Sequence, residues 1–174
     1  YSNLWGVFVS ANNGCFGDLT EYLQSEVHVL MSHEFIFEPG IWIGEGKITF
    51  SASQEHVRYF TKWNVHQLKD KKIICQQDVQ MQGSDETVSN HFIFDDVTPA
   101  TFLVELSNEL LGTVRGKGVI DAKTLAWEFR GHTSFEGFEV YELQDNGDYM
   151  VHAEYVSPDQ FRTIIDGRIW KKST

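Results

Sequence analysis

Seven histidines, two cysteines and a surplus of carboxylates are the groups able to carry proton transfer, metal ligation or nucleophilic attack in this sequence. Their spacing supports none of these strongly. His152 and Glu154 fall on one face of a strand, and His56 and His66 on one face of another. A metal needs ligands converging at about 2.0–2.2 Å, and neither spacing is a ligand pattern. Strand histidines held by solvent or a single hydrogen bond account for both pairs. Cys15 and Cys75 have no histidine nearby in sequence to activate a thiolate, and Cys75 alternates with apolar residues as a small buried group would. Asp85, Glu86, Asp95 and Asp96 sit where strands end and read as solvated turn carboxylates. Gly112, Gly116 and Gly118 precede no strand-to-helix transition, so they form no phosphate loop and instead ease strand curvature. The expectation is no catalytic constellation, no metal and no resident cofactor.

The elements that would position these groups have a period of two. From Ile41 to Phe50, Trp42, Gly44, Gly46, Ile48 and Phe50 share one face against Glu45, Lys47 and Thr49. Tyr59, Thr61, Trp63 and Val65 alternate with Arg58, Lys62, Asn64 and His66 in the next segment. The rhythm continues through Ile73–Met81, Val88–Phe94, Thr101–Ser107, Val114–Ile120, Leu125–Phe129, Phe138–Leu143, Tyr149–Val156 and Phe161–Lys171. Turn residues separate the runs, and Asn146-Gly147 predicts a tight primed hairpin turn. About ten short strands at hairpin spacing predict an antiparallel up-and-down meander, which closes well into a barrel because closure removes its edges. A capping-box pattern, Asp18 followed by Glu21, predicts one short helix before the strands, with Leu19, Tyr22 and Leu23 on one face.

Length and composition bound the rest. The 174 residues fit one domain, with an N-terminal segment over 1–25 and a barrel over 26–172. The balance of 14 Lys and Arg against 25 Asp and Glu gives a net charge of −11, which disfavours nucleic acid or an anionic membrane as partner. Hydrophobic residues at 41% are too many for a disordered chain. No apolar run approaches the roughly 20 residues needed to span a bilayer. Tyr1 to Phe16 shows no secretory pattern, and two cysteines make no disulfide framework, so a cytoplasmic setting is expected.

Gly40-Ile41-Trp42 at the first strong strand, with Arg168 in the last, resembles the calycin superfamily of lipocalins and fatty-acid-binding proteins. The resemblance implies that Trp42 is a barrel-floor indole covered by the Arg168 guanidinium, a structural role. Two departures mark a non-classical member: the strand-like segment Val27–Phe37 precedes the expected first strand, and the disulfides of secreted lipocalins are missing. Gly44-Glu45-Gly46 is similar to the nitrobindin branch, which implies haem, but the last strand carries no histidine to ligate it.

The reading is therefore an all-β, single antiparallel barrel that binds a small hydrophobic molecule. Candidate lining residues are Tyr59, Trp63, Met81, Phe92, Phe102, Trp127 and Tyr155. If the face carrying Arg162, Ile164, Asp166 and Arg168 points inward, Arg162 meets an anionic ligand; if Phe161, Thr163 and Ile165 point inward, it does not. A carrier or sensor is the first expectation. An isomerase, cyclase or chromophore lyase is the second; a ligand-free structural or protein-binding barrel and a haem-binding nitrobindin-like barrel are the remaining alternatives.

Overall fold

A strand with alternating side chains buries one face, and a long meander loses its two free edges only by closing on itself. The computed structural model describes residues 32–173 apart from 54, 69, 133, 134 and 160, and there the meander closes. The strands are β1 (Gly40–Phe50), β2 (His56–Gln67), β3 (Ile73–Met81), β4 (Thr87–Asp95), β5 (Thr101–Asn108), β6 (Gly112–Ile120), β7 (Thr124–Phe129), β8 (Glu136–Leu143), β9 (Tyr149–Val156) and β10 (Arg162–Lys171). Each pairs antiparallel with its sequence neighbours, and β10 returns to β1 to complete the ring of ten. This is the all-β, up-and-down barrel expected from the alternation. The helix expected around Asp18–Leu23 lies outside the described residues.

Two local expectations are corrected. The β8–β9 hairpin uses a three-residue loop closed by Gln144 N–H to Asp148 O (2.8 Å), with only Gly147 at positive φ (88°). That is a type I turn followed by a left-handed glycine, not a primed two-residue turn. The described part of the Val27–Phe37 segment is not extended either. Glu34 O accepts from Phe37 N–H (3.1 Å) and Glu38 N–H (2.9 Å), which folds residues 34–38 into a turn, and the first strand among the described residues starts at Gly40.

That turn closes one end of the barrel. It places Phe35 and Ile36, both fully buried, inside the mouth formed by the start of β1 and the ends of β2 and β8. The Phe35 ring centroid lies 5.3 Å from Trp42, 5.2 Å from Trp63, 5.0 Å from Tyr141 and 5.7 Å from Tyr149. His33 fastens the segment: its Nε2–H donates to Asp121 O (2.6 Å) and its Nδ1 accepts from the Tyr149 hydroxyl (2.9 Å). Burial keeps this imidazole below its ordinary pKa, against the opposing pull of Asp121.

Aromatic packing continues inward. Trp63 meets Phe92 at 5.0 Å, Trp127 stacks on Tyr141 at 4.8 Å, and Phe94 packs edge-on against Phe102 (5.5 Å) and Trp127 (5.4 Å). Room for the Phe102 ring comes from Gly118 on the neighbouring strand, where a Cβ would lie 2.1 Å from Phe102 Cζ. Gly118→Ala is therefore expected to destabilise the protein by about 1–3 kcal/mol through overpacking, despite alanine's stiffer backbone. Chemical denaturation should report it as a lower midpoint with an unchanged slope.

Candidate functional site

The aromatic packing stops partway up the barrel. Beyond it lies a cavity of about 250 Å³ that opens, among the described residues, toward the end opposite the Phe35 turn. Its floor is Trp63, Phe92 and Tyr141, and its upper walls are Ile48, Met81, Val88 and Ile165. Leu111 and Phe135 reach in from the β5–β6 and β7–β8 connections, and Phe135 stacks on Tyr155 at 4.7 Å. A small, mostly apolar concavity with few polar groups is the usual form of a small-molecule site.

Two polar groupings interrupt the apolar wall. The first is Glu139 on β8, only 6% exposed and among the cavity-lining residues. Burial pushes its carboxyl up to about 7, while the neighbouring Tyr155 hydroxyl and Trp127 indole N–H pull it back. Neither Glu139 Oε2 nor Trp127 Nε1 reaches hydrogen-bond geometry with a partner among the described residues. Thr61 Oγ1 and Trp63 Nε1, on residues that also line the cavity, are likewise unpartnered. Burial, then the Glu139 carboxylate, raises the Tyr155 and Tyr141 phenols well above their ordinary range, so both remain proton donors. Tyr155 lies flat across Gly137, where a Cβ would fall 2.2 Å from its ring.

The second grouping is a row of amides on three adjacent strands. Asn90 Nδ2 donates to Gln77 Oε1 (2.9 Å), and Asn108 Nδ2 donates to Asn90 Oδ1 (2.9 Å). All three residues line the cavity.

Of the residues expected from sequence, Tyr59, Trp63, Met81, Phe92 and Tyr155 line the cavity. Phe102 and Trp127 belong instead to the packed aromatic cluster. Arg162 is not in the cavity: the inward face of β10 carries Ile165 and Ile169, and the Arg162 guanidinium lies 3.6 Å from Glu154 on the outer wall. The cationic face is thus corrected, because Thr163 pairs with the inward-facing Tyr155 and sets the parity of the strand. Arg168 does not cover Trp42. Its guanidinium pairs with Glu45 (3.1 Å) and sits 4.9 Å from the Trp170 ring, both on the outside. Trp42 is 1% exposed at the closed end, covered by Phe35 and Tyr149.

Glu139, Thr61, Gln77, Asn90 and Asn108 line the cavity but were not among the site residues expected from the sequence. His152 bridges Asp166 (2.7 Å) and Glu154 (3.3 Å) on the outer wall; burial lowers its pKa, but the two carboxylates outweigh that and raise it overall. Cys75 is buried, and burial pushes its thiol up to about 12. Among the described residues no histidine lines the cavity, and no cluster of three histidine, cysteine or carboxylate groups could hold a metal. No helix among them is long and apolar enough to cross a membrane.

No family model matches the sequence, and no curated protein matches it. Among solved structures the chain is similar to the S-type phycobiliprotein lyase CPES from Guillardia theta. The TM-score is 0.62 at 9% identity, covering 81% of this chain and 92% of that one. At that identity the likeness is one of fold: both chains form the same kind of barrel.

Proposed function

We propose that the barrel binds a small hydrophobic molecule in the cavity above the Trp63–Phe92–Tyr141 floor, as a carrier or sensor. The observation that carries this reading is the combination of an open apolar cavity with wall residues whose polar atoms lack partners: Glu139 Oε2, Thr61 Oγ1 and Trp63 Nε1. Buried polar atoms are costly when unmade, and these three lie on residues that line the open cavity. At about 250 Å³ the cavity lies just below the usual range of ligand sites, so the ligand is compact, a ring system of modest size. With Arg162 on the outer wall, no cationic side chain among the described residues lines the cavity, and the ligand's polar part is neutral rather than anionic.

N-phenylnaphthylamine is expected to brighten on titration and saturate at one site per chain. Met81→Trp, which fills the upper cavity, is expected to weaken it by roughly tenfold or more, the equivalent of about 1.4 kcal/mol. Absence of saturable binding by the native chain would remove the carrier reading.

A second reading, an enzyme such as a chromophore lyase, is favoured by Glu139. A carboxyl that titrates near 7 beside a phenol can hold or release a proton at neutral pH. The fold shared with a phycobiliprotein lyase supports the same direction. Glu139→Gln separates the readings: it leaves a carrier's binding largely intact but abolishes turnover by a proton-transferring enzyme. The haem alternative finds no imidazole among the described cavity residues.

A further inference from the structure

The amide row has a direction, and its origin is the backbone. Asn108 Oδ1 accepts from Leu110 N–H (3.0 Å) and Leu111 N–H (2.8 Å) in the β5–β6 connection, which occupies both of its lone pairs. Only its amino group is left to face Asn90, so Asn90 presents its carbonyl to Asn108 and its amino group to Gln77. Reversing any one amide would set two N–H groups or two carbonyls against each other. The orientation that is ambiguous for an isolated amide is therefore fixed by two main-chain donors.

The row ends in a surplus of donors. Gln77 Oε1 is engaged by Asn90, so both N–H groups of Gln77 Nε2 are unused among the described residues, and Asn90 and Asn108 keep one each. These residues stand on β3, β4 and β5, and β8 with Glu139 lies half-way round the ring of ten from β3. The cavity thus has a donor wall facing a carboxyl wall, separated by apolar surface.

We propose that the Gln77–Asn90–Asn108 row binds a neutral carbonyl oxygen of the ligand, an amide or ketone, and so fixes which end of the molecule faces β3–β5. The proposal rests on the cavity being the ligand site and adds the polarity of what enters it. A neutral acceptor fits because amide donors supply hydrogen bonds without the charge that would offset a desolvated anion. A ligand oriented in this way turns its far end toward Glu139, where an N–H or O–H would meet the unpartnered Oε2.

Two neutral probes test this: prodan, a dimethylaminonaphthalene bearing a propionyl carbonyl, and dimethylaminonaphthalene itself, which lacks the carbonyl. The native chain is expected to bind prodan about five- to tenfold more tightly than the parent, beyond their difference in partition into octanol. Bound prodan should also show the red-shifted emission of a hydrogen-bonded carbonyl. Gln77→Leu is expected to erase both the red shift and the preference, read as the ratio of the two probes' affinities within each variant. Gln77→Glu, nearly isosteric and still able to accept from Asn90, replaces the donors with an acceptor and should do the same; it serves if the leucine variant fails to fold. A prodan preference and emission that survive in a folded Gln77 variant would overturn the amide row alone. Failure of both probes to bind the native chain would overturn the cavity reading and the amide row with it.

Discussion

Trp42→Ala is expected to cost about 3–5 kcal/mol of unfolding free energy. The indole is 1% exposed and packs edge-on against Phe35 (5.3 Å) and Tyr149 (5.6 Å) at the closed end of the barrel. Removing it empties the space between the turn that carries Phe35 and the first strand, and β1 cannot collapse inward because both its edges are paired. Trp42 Nε1 has no hydrogen-bond partner among the described residues, so the expected loss is packing alone. Against a typical stability of roughly 5–15 kcal/mol, that is a large fraction of the whole. The paired control is Arg168→Ala. Its guanidinium lies on the outer wall with Glu45, and surface changes of that kind usually fall within about 0.5 kcal/mol. Denaturant unfolding of the two variants distinguishes a floor residue from its supposed cover. A Trp42→Ala loss below about 1 kcal/mol would take the indole out of the core.

The second large effect depends on pH. Burial raises the Glu139 carboxyl from 4.5 to about 7, so the folded state binds its proton more tightly than the unfolded chain does. Such a group contributes its full stability below pH 4.5 and loses it as pH rises to about 7. The difference corresponds to about 3 kcal/mol. Glu139→Gln carries no charge to bury, so it should match the native chain near pH 4.5 and exceed its stability by up to about 3 kcal/mol at pH 8. His33 acts in the opposite sense, its lowered pKa costing stability as pH falls below 6.5. Both proteins contain His33, so the difference between their pH curves isolates Glu139. Parallel curves would show that the carboxyl is already solvated in the fold.

The strands were legible because most have one apolar and one polar face. In β2, Tyr59, Thr61, Trp63 and Val65 oppose Arg58, Lys62 and His66, and the buried set is the first one. Strands β8 and β10 lack that contrast. In β8 the apolar residues Phe138 and Val140 suggest an inward face, yet the fully buried side chains are Glu139 and Tyr141. Gly137 and Glu139 are accepted inside because Tyr155 fills the space over the glycine. In β10 both faces carry isoleucine, Ile164 on one and Ile165 on the other, so only pairing with β9 decides where Arg162 points. The amide row was hidden for another reason. Gln77, Asn90 and Asn108 are distant in sequence and ordinary one by one; the hydrogen bonds that link them need the β3–β4 register and a turn at Leu110 and Leu111. The resemblance carried by Gly-Ile-Trp implied a barrel, and the chain forms one, but the covering arginine belongs to a part of the resemblance that this chain does not follow.

The unequal filling of the cylinder has an evolutionary consequence. Side chains that hold the molecule together crowd one half, whereas Met81, Val88 and Ile165 in the other half are only partly buried, and changing them removes little of the cohesion. Selection can therefore remodel the mouth freely while leaving the aromatic base alone. That separation fits a barrel whose architecture recurs at 9% identity, with a TM-score of 0.62, because its cohesion sits in the base and not at the mouth.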